Sequence, residues 1–152
     1  MRDEQYYLGL ALHEAKKGFL ADEVPVGALI VKDGRVLSKA HNRVEGRQSS
    51  LCHAEVLAIQ KAQKKLGSWR LIGATLYCTL EPCPMCAGAI LLSRIDRVVY
   101  GARDHRWGAA GSVVNLFDQK RFNHFPKMDL VNTEQCGLVL AEFFRQKRNM
   151  NL

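Results

Sequence analysis

The sequence predicts an α/β domain built on a mixed sheet. Three observations predict it. Short β-branched runs alternate with stretches of helical periodicity, which implies parallel pairing in part of the sheet. An Asp33-Gly34 pair between two such runs signals an antiparallel hairpin, so the sheet is mixed. The chain has 152 residues, 47% hydrophobic and 24% charged, which suits one domain with a real core and leaves no room for a second of ordinary size. Residues 1–152 are read as that single domain.

The first helix runs from about Asp3 to Phe19, because Tyr7, Leu8, Ala11, Leu12, Ala15 and Phe19 recur near a period of 3.6, and Gly18 weakens its end. Val26–Val31 and Val36–His41 are the two strands of the hairpin. The polar stretch from Asn42 to Leu51 is read as a loop. A second helix covers His53 to Leu66, with Val56, Leu57, Ile59, Ala62 and Leu66 facing inward and Gly67 closing it. Ala74–Thr79 is a strand. Pro84 opens a third helix, which ends near Leu92. Arg97–Tyr100 is a strand, Gly101 to Ala110 a polar loop, Val113–Phe117 a short helix and Met128–Val131 a fifth strand. A last helix runs from Asn132 to about Arg148, with Asn132 and Gln135 spaced as a capping box. Its apolar face holds Cys136, Val139, Leu140, Phe143 and Phe144.

The 22 Lys and Arg residues exceed the 15 acids, for a net charge of +7. That excess leans toward an anionic partner such as nucleic acid and equally suits an ordinary basic enzyme. No apolar run approaches the roughly 20 residues that span a membrane, and the N-terminus lacks a secretory pattern. The expected location is cytoplasmic. Five cysteines, an odd number, argue against a disulfide framework.

Two short motifs carry chemistry. His53-Ala54-Glu55 opens the second helix, and Pro82-Cys83-Pro84-Met85-Cys86 opens the third. Residues three apart share a helix face, so Cys83 and Cys86 can aim both sulfurs at one point. The positive end of the helix favours their thiolates. If both helices pack on one sheet face, His53 joins them. Three protein ligands is the count of a catalytic zinc with an open fourth position. A zinc there makes hydroxide available near neutral pH. Glu55 is placed to take the proton of water and pass it on.

A lone C-x-x-C also fits a thioredoxin-like site or half of a structural zinc site. The chain has no second close pair, and the motif comes late for a thioredoxin. A histidine at a helix start is commonly only a cap or a packed side chain. Together, H-x-E and P-C-x-x-C form the known signature of zinc-dependent deaminases. Cys78 and Cys136 read as buried core thiols, and Cys52 as a bystander.

Further strings run along the chain: Glu23-Val24-Pro25-Val26-Gly27, Ala40-His41-Asn42-Arg43, Gly67-Ser68-Trp69-Arg70-Leu71, Thr79-Leu80-Glu81 ahead of the cysteine motif, Ser93-Arg94, Val98-Val99-Tyr100-Gly101-Ala102 and Phe143-Phe144-Arg145. On these, the stretch from about Glu23 to Arg148 resembles the bacterial tRNA-specific adenosine deaminases of the cytidine-deaminase-like superfamily. The resemblance implies a three-layer α-β-α fold with a five-stranded mixed sheet and one zinc per subunit. It implies conversion of the wobble adenosine of a tRNA anticodon stem-loop to inosine by a homodimer. It also implies that Asn42 meets the flipped base and that Ala54, Val26 and Ala28 line its pocket. Asp104 would contact a neighbouring nucleotide, and Arg145, Lys147 and Arg148 would lie along the stem-loop.

The residues themselves leave alternatives. Asn42 suits a base edge, yet asparagine after a strand is commonly a turn residue. The Arg103–Trp107 loop suits phosphates and stacking, or is a solvated turn with Trp107 folded back. The terminal cations can simply complement a helix C-terminus. A free-base or nucleotide deaminase of the guanine or cytosine type would share the same metal motif, and a non-catalytic RNA-binding module with a structural zinc would not need Glu55.

Overall fold

The Asp3 side chain accepts a 2.9 Å hydrogen bond from the Tyr6 backbone N–H and so starts helix α1, Glu4–Leu20. The computed structural model describes residues 2–151; Met1 and Leu152, the ends of the expected 1–152 domain, lie outside the described residues. After α1 come β1 (Gly27–Lys32), β2 (Arg35–His41), α2 (Val44–Arg47), α3 (Ala54–Leu66), β3 (Ala74–Cys78), α4 (Pro84–Leu92), β4 (Arg97–Tyr100), β5 (Lys127–Leu130) and α5 (Glu134–Met150).

The five strands form one mixed sheet in the order β2-β1-β3-β4-β5. Strand β1 is antiparallel to β2 and to β3, while β3, β4 and β5 run parallel. Asp33 and Gly34 both take positive φ, 51° and 73°, the left-handed pair that a two-residue hairpin turn requires. Alternation along the strands builds two cores. Leu29, Val31, Tyr77 and Val99 meet Tyr7, Leu8 and Ala11 of α1 on one face. Ala28, Ile30, Leu76, Cys78 and Val98 meet α3 and α4 on the other. Helix α5 packs on α1 through the edge-on rings of Phe19 and Phe143. The expected three layers and mixed sheet are therefore present. Among the described residues no helix is long and apolar enough to cross a membrane.

Gly27 sets the closeness of the α1 layer. A methyl there would meet the Ala11 carbonyl oxygen and lie 2.7 Å from the Ala15 nitrogen, so only glycine lets the helix backbone approach the strand. Gly18, expected to weaken the end of α1, stays helical and buried, packed beside His41.

Four sequence expectations fail. The Asn42–Leu51 stretch contains the short helix α2, because the buried Glu23 carboxylate accepts from the Glu45 and Gly46 N–H groups at 2.9 and 2.7 Å and supplies the missing cap from a distance. Residues 113–117 form no helix. Gly111 and Val113 are tied by turns, and Ala110 bridges Asn115, which uses the backbone groups a helix would need. The cap residue of α5 is Thr133, not Asn132. The Thr133 hydroxyl turns back to the Val131 carbonyl, so no capping box forms. On the same helix Cys136 and Phe143 are buried, but Phe144 is exposed, because the buried stripe is only one side chain wide there.

Candidate active site and metal centre

The N-termini of α3 and α4 lie side by side because Ala54, Leu57, Ala58 and Ala62 of one helix share a core with Ala87, Ile90 and Leu91 of the other. Small residues on the facing surfaces bring the two helix starts together. His53 and Cys83 occupy the two N-cap positions, extended in backbone and without a capping side-chain bond. Those positions usually hold Ser or Asp. Here they carry groups that bind metals.

The His53 Nδ1 lies 3.5 Å from the Cys83 Sγ and 3.5 Å from the Cys86 Sγ. The three ligand atoms all lie within 4.8 Å of one another. Tetrahedral bonds of about 2.1 Å to nitrogen and about 2.3 Å to sulfur place such atoms about 3.6 Å apart. The donor set therefore fits a zinc-sized ion without rearrangement, and its three members leave a fourth position for water.

Electrostatics point the same way. The hydrogen bond with Cys86, opposed by burial and helped by His53, holds the Cys83 thiol down at about 4. The same hydrogen bond, together with burial, drives the Cys86 thiol up. Glu55, in the first turn of α3, is 4% exposed. Burial pushes its carboxyl up, against the opposing pull of its hydrogen bond with Cys86 and the nearby His53. A carboxyl that gains and loses its proton above the usual range is suited to proton transfer near neutral pH.

Asn42 lies just beyond β2, with its backbone N–H bound to the Val26 carbonyl at 3.1 Å. The residue is 8% exposed, and its Oδ1 is buried with no hydrogen-bond partner. Such an acceptor is rare in a folded protein and needs an explanation. Ala54, Val26 and Ala28 are buried in the core that α3 and α4 share. Cys78 and Cys136 are buried thiols, as read from sequence, and Cys52 is half-buried.

The outer expectations fare differently. Trp107 is 67% exposed, so it does not fold back. Asp104 uses its Oδ1 to bind the N–H groups of Arg106 and Trp107 at 3.0 and 3.1 Å, which closes the turn they sit on. Arg145 is exposed and grips Glu142 with two hydrogen bonds of 2.9 and 2.6 Å. Lys147 pairs with Asp22 and lies over the Phe143 ring, tying α5 to the end of α1.

Sequence reading assigned no role to two buried acids, Glu23 and Glu81. Glu23 stands directly before Val24 and Glu81 directly before Pro82, where a charge has no amphipathic purpose. That was the available signal. Glu81 is 2% exposed. Burial would raise its pKa, but donors from Ser112, Asp104 and Ala110 outweigh it and leave the carboxyl below its usual value.

One imidazole and two thiols converging at paired helix starts, beside a buried carboxyl and on this mixed sheet, define a metal-dependent hydrolytic deaminase. Comparison with known proteins agrees. The family described as MafB19-like deaminase matches residues 2–148, and a tRNA-specific adenosine deaminase of Bacillus subtilis (strain 168) is 49% identical over 149 residues, covering 97% of this chain and 92% of the relative. The chain belongs to the MafB19-like deaminases and, within them, to the tRNA-specific adenosine deaminases. A solved structure from work on A-to-I editing by tRNA:A34 deaminases superposes with a TM-score of 0.80 at 44% identity, over 83% of this chain and 97% of that one. A guanine deaminase from Bacillus subtilis superposes with a TM-score of 0.66 at 32% identity, over 95% of each chain.

Proposed function

We propose that this chain, a single deaminase domain over residues 1–152, is a zinc-dependent hydrolase that converts the wobble adenosine of a tRNA anticodon loop to inosine. The observation that carries the chemistry is the His53, Cys83 and Cys86 cluster with buried Glu55 beside it. The similarity to tRNA-specific adenosine deaminases supports the substrate.

The reaction replaces the C6 amino group with oxygen: water adds at C6, the C6–N bond breaks and ammonia leaves. A zinc held by His53 Nδ1, Cys83 Sγ and Cys86 Sγ would lower the pKa of water so that hydroxide is available near neutral pH. Glu55 then handles both protons. Its carboxylate accepts one from the attacking water and delivers it to ring N1, and the second goes to the departing nitrogen. Burial excludes bulk water from that carboxyl and keeps its proton affinity high. The orphaned Asn42 Oδ1 suits an N–H donor of the base, and the buried Ala54, Val26 and Ala28 would line the base's pocket. Trp107, exposed on the turn that Asp104 closes, offers a stacking surface to an unpaired loop base. Arg145 reaches a phosphate only by exchanging its hold on Glu142.

The site of action is the cytoplasm, which the five free cysteines favour. The active form is a homodimer. Leu92 is 71% exposed on α4, beside a groove of about 200 Å³ lined by Leu91, Leu116 and Phe122, and a second copy would cover that apolar surface. Sedimentation equilibrium is expected to give twice the chain mass for wild type and a lighter species for Leu92→Glu. A monomeric wild type at micromolar concentration rejects the dimer.

The function is tested by incubating the zinc-loaded protein with an anticodon stem-loop beginning in adenosine, and separately with free guanine, cytidine and adenosine. Inosine at the wobble position, with no ammonia from the free compounds, is the expected result. Ammonia from guanine alone would move the chain to the free-base reading that the guanine deaminase likeness raises.

A further inference from the structure

Glu81 gathers an unusual number of donors for a side chain outside the metal cluster. Its Oε1 accepts from the Asp104 N–H at 3.1 Å and from the Ser112 hydroxyl. Its Oε2 accepts from the N–H groups of Ala110 and Ser112 at 2.9 and 3.2 Å. Both ends of the 104–112 loop therefore close on one buried carboxylate. The backbone on either side of Glu81 joins the same loop: the Glu81 N–H donates to the Ala102 carbonyl at 2.8 Å, and the Pro82 carbonyl accepts from the Ala109 N–H at 2.8 Å. Two residues further on is Cys83.

Gly108 shows how tightly the loop is drawn in. A methyl at that position would collide with the Glu81 carboxylate and with the Asp104 carbonyl oxygen. The loop is not a free surface excursion. It is wound around Glu81, and its outward side carries Asp104, Arg106 and Trp107.

We infer that Glu81 is a positioning residue for the RNA substrate, a clamp that holds the 104–112 loop at a set height against the cysteine-bearing segment. The inference rests on the proposed tRNA reading, in which Asp104 and Trp107 meet nucleotides beside the edited base. Glu81 touches neither substrate nor metal. It acts by spending no binding energy on ordering the loop when RNA arrives, so losing it weakens RNA binding more than the chemical step.

Glu81→Gln keeps the shape but presents an NH₂ group to donors on one branch, and Ser112→Ala removes the hydroxyl while leaving the carboxylate in place. Both variants are expected to retain full zinc content. Their KM for the anticodon stem-loop should rise about tenfold, since hydrogen bonds to a charged group are among the stronger ones, while kcat changes less than about threefold. Ser112→Thr, which keeps the hydroxyl, should restore the wild-type KM. Amide hydrogen exchange on substrate-free protein reads the clamp without any activity. The amides of Asp104, Ala110 and Ser112 should exchange faster in Glu81→Gln. Unchanged exchange overturns the clamp, and faster exchange with unchanged KM overturns its role in positioning RNA. A Glu81→Gln variant that fails to fold leaves Ser112→Ala to decide by the same two readouts. A wild type that makes no inosine refutes the tRNA reading instead, and the exchange measurement still decides the clamp.

Discussion

Glu55→Ala is expected to lower inosine formation by about 10³-fold while zinc content stays at one per chain, because a positioned general acid–base is worth about 10² to 10⁴ in rate. The carboxyl is not among the three atoms that converge on the metal position, so its loss leaves the ligand set intact. A second consequence concerns stability. Burial holds the folded-state pKa of Glu55 above the ordinary value of 4.5. The neutral form is the one the fold prefers. Its contribution is fully present below the unfolded pKa and is lost as pH rises through the folded pKa. At neutral pH the raised pKa of Glu55 therefore costs stability, a cost retained for catalysis. Metal-free Glu55→Gln is expected to melt above metal-free wild type at pH 8, with the gap closing by about pH 4. Thermal melts of both proteins across that range are the check. Equal inosine rates at equal zinc content would remove Glu55 from the mechanism, and a gap that widens toward acid would reverse the sign of its burial effect.

Cys86→Ala is expected to abolish both metal binding and activity. It deletes one of three ligands, and changes even one layer further from a metal cost about 10- to 100-fold in affinity. Zinc should fall from one per chain to near zero after dialysis. Chelation of the wild type should reproduce the inactive state, and added zinc should restore the wild type but not the variant. Because metal binds only the folded site, chelator should lower the melting temperature of wild type and leave that of Cys86→Ala unmoved. Protons compete for the same site. Cys83 sits at about 4, yet Cys86 is driven up and binds metal only by losing its proton, so zinc retention should weaken as pH falls. Metal analysis after gel filtration at several pH values reads this directly. A Cys86→Ala protein that keeps stoichiometric zinc would show that the three-residue cluster is not the site.

Much of the site was legible because its parts are local. Cys83 and Cys86 lie three apart at a helix start marked by Pro84, and His53 and Glu55 lie two apart at another. Spacing of that kind survives in any fold that keeps the helices. The hairpin was legible for the same reason, since Asp33-Gly34 specifies its own turn. Short-range signals misled where a distant group intervened. Residues 44–47 look like loop until Glu23, about twenty positions earlier, caps them. Residues 113–117 look helical until Glu81 and the bridge from Ala110 to Asn115 claim their surroundings. Asn132 looks like a cap until the Thr133 hydroxyl turns away to Val131.

The sequence by itself determined the fold class, the class of reaction and the two short motifs that hold His53, Glu55, Cys83 and Cys86, because each rests on residue chemistry and on short-range spacing. Only the tertiary structure decided that the His53 Nδ1 comes within 3.5 Å of both sulfurs, that Asn42 is left with a buried unpartnered oxygen and that the 104–112 loop closes on Glu81 beside the site. Those facts depend on burial and on contacts between residues tens of positions apart. They come into being only when the sheet brings the segments together and removes the water that would otherwise satisfy each polar group.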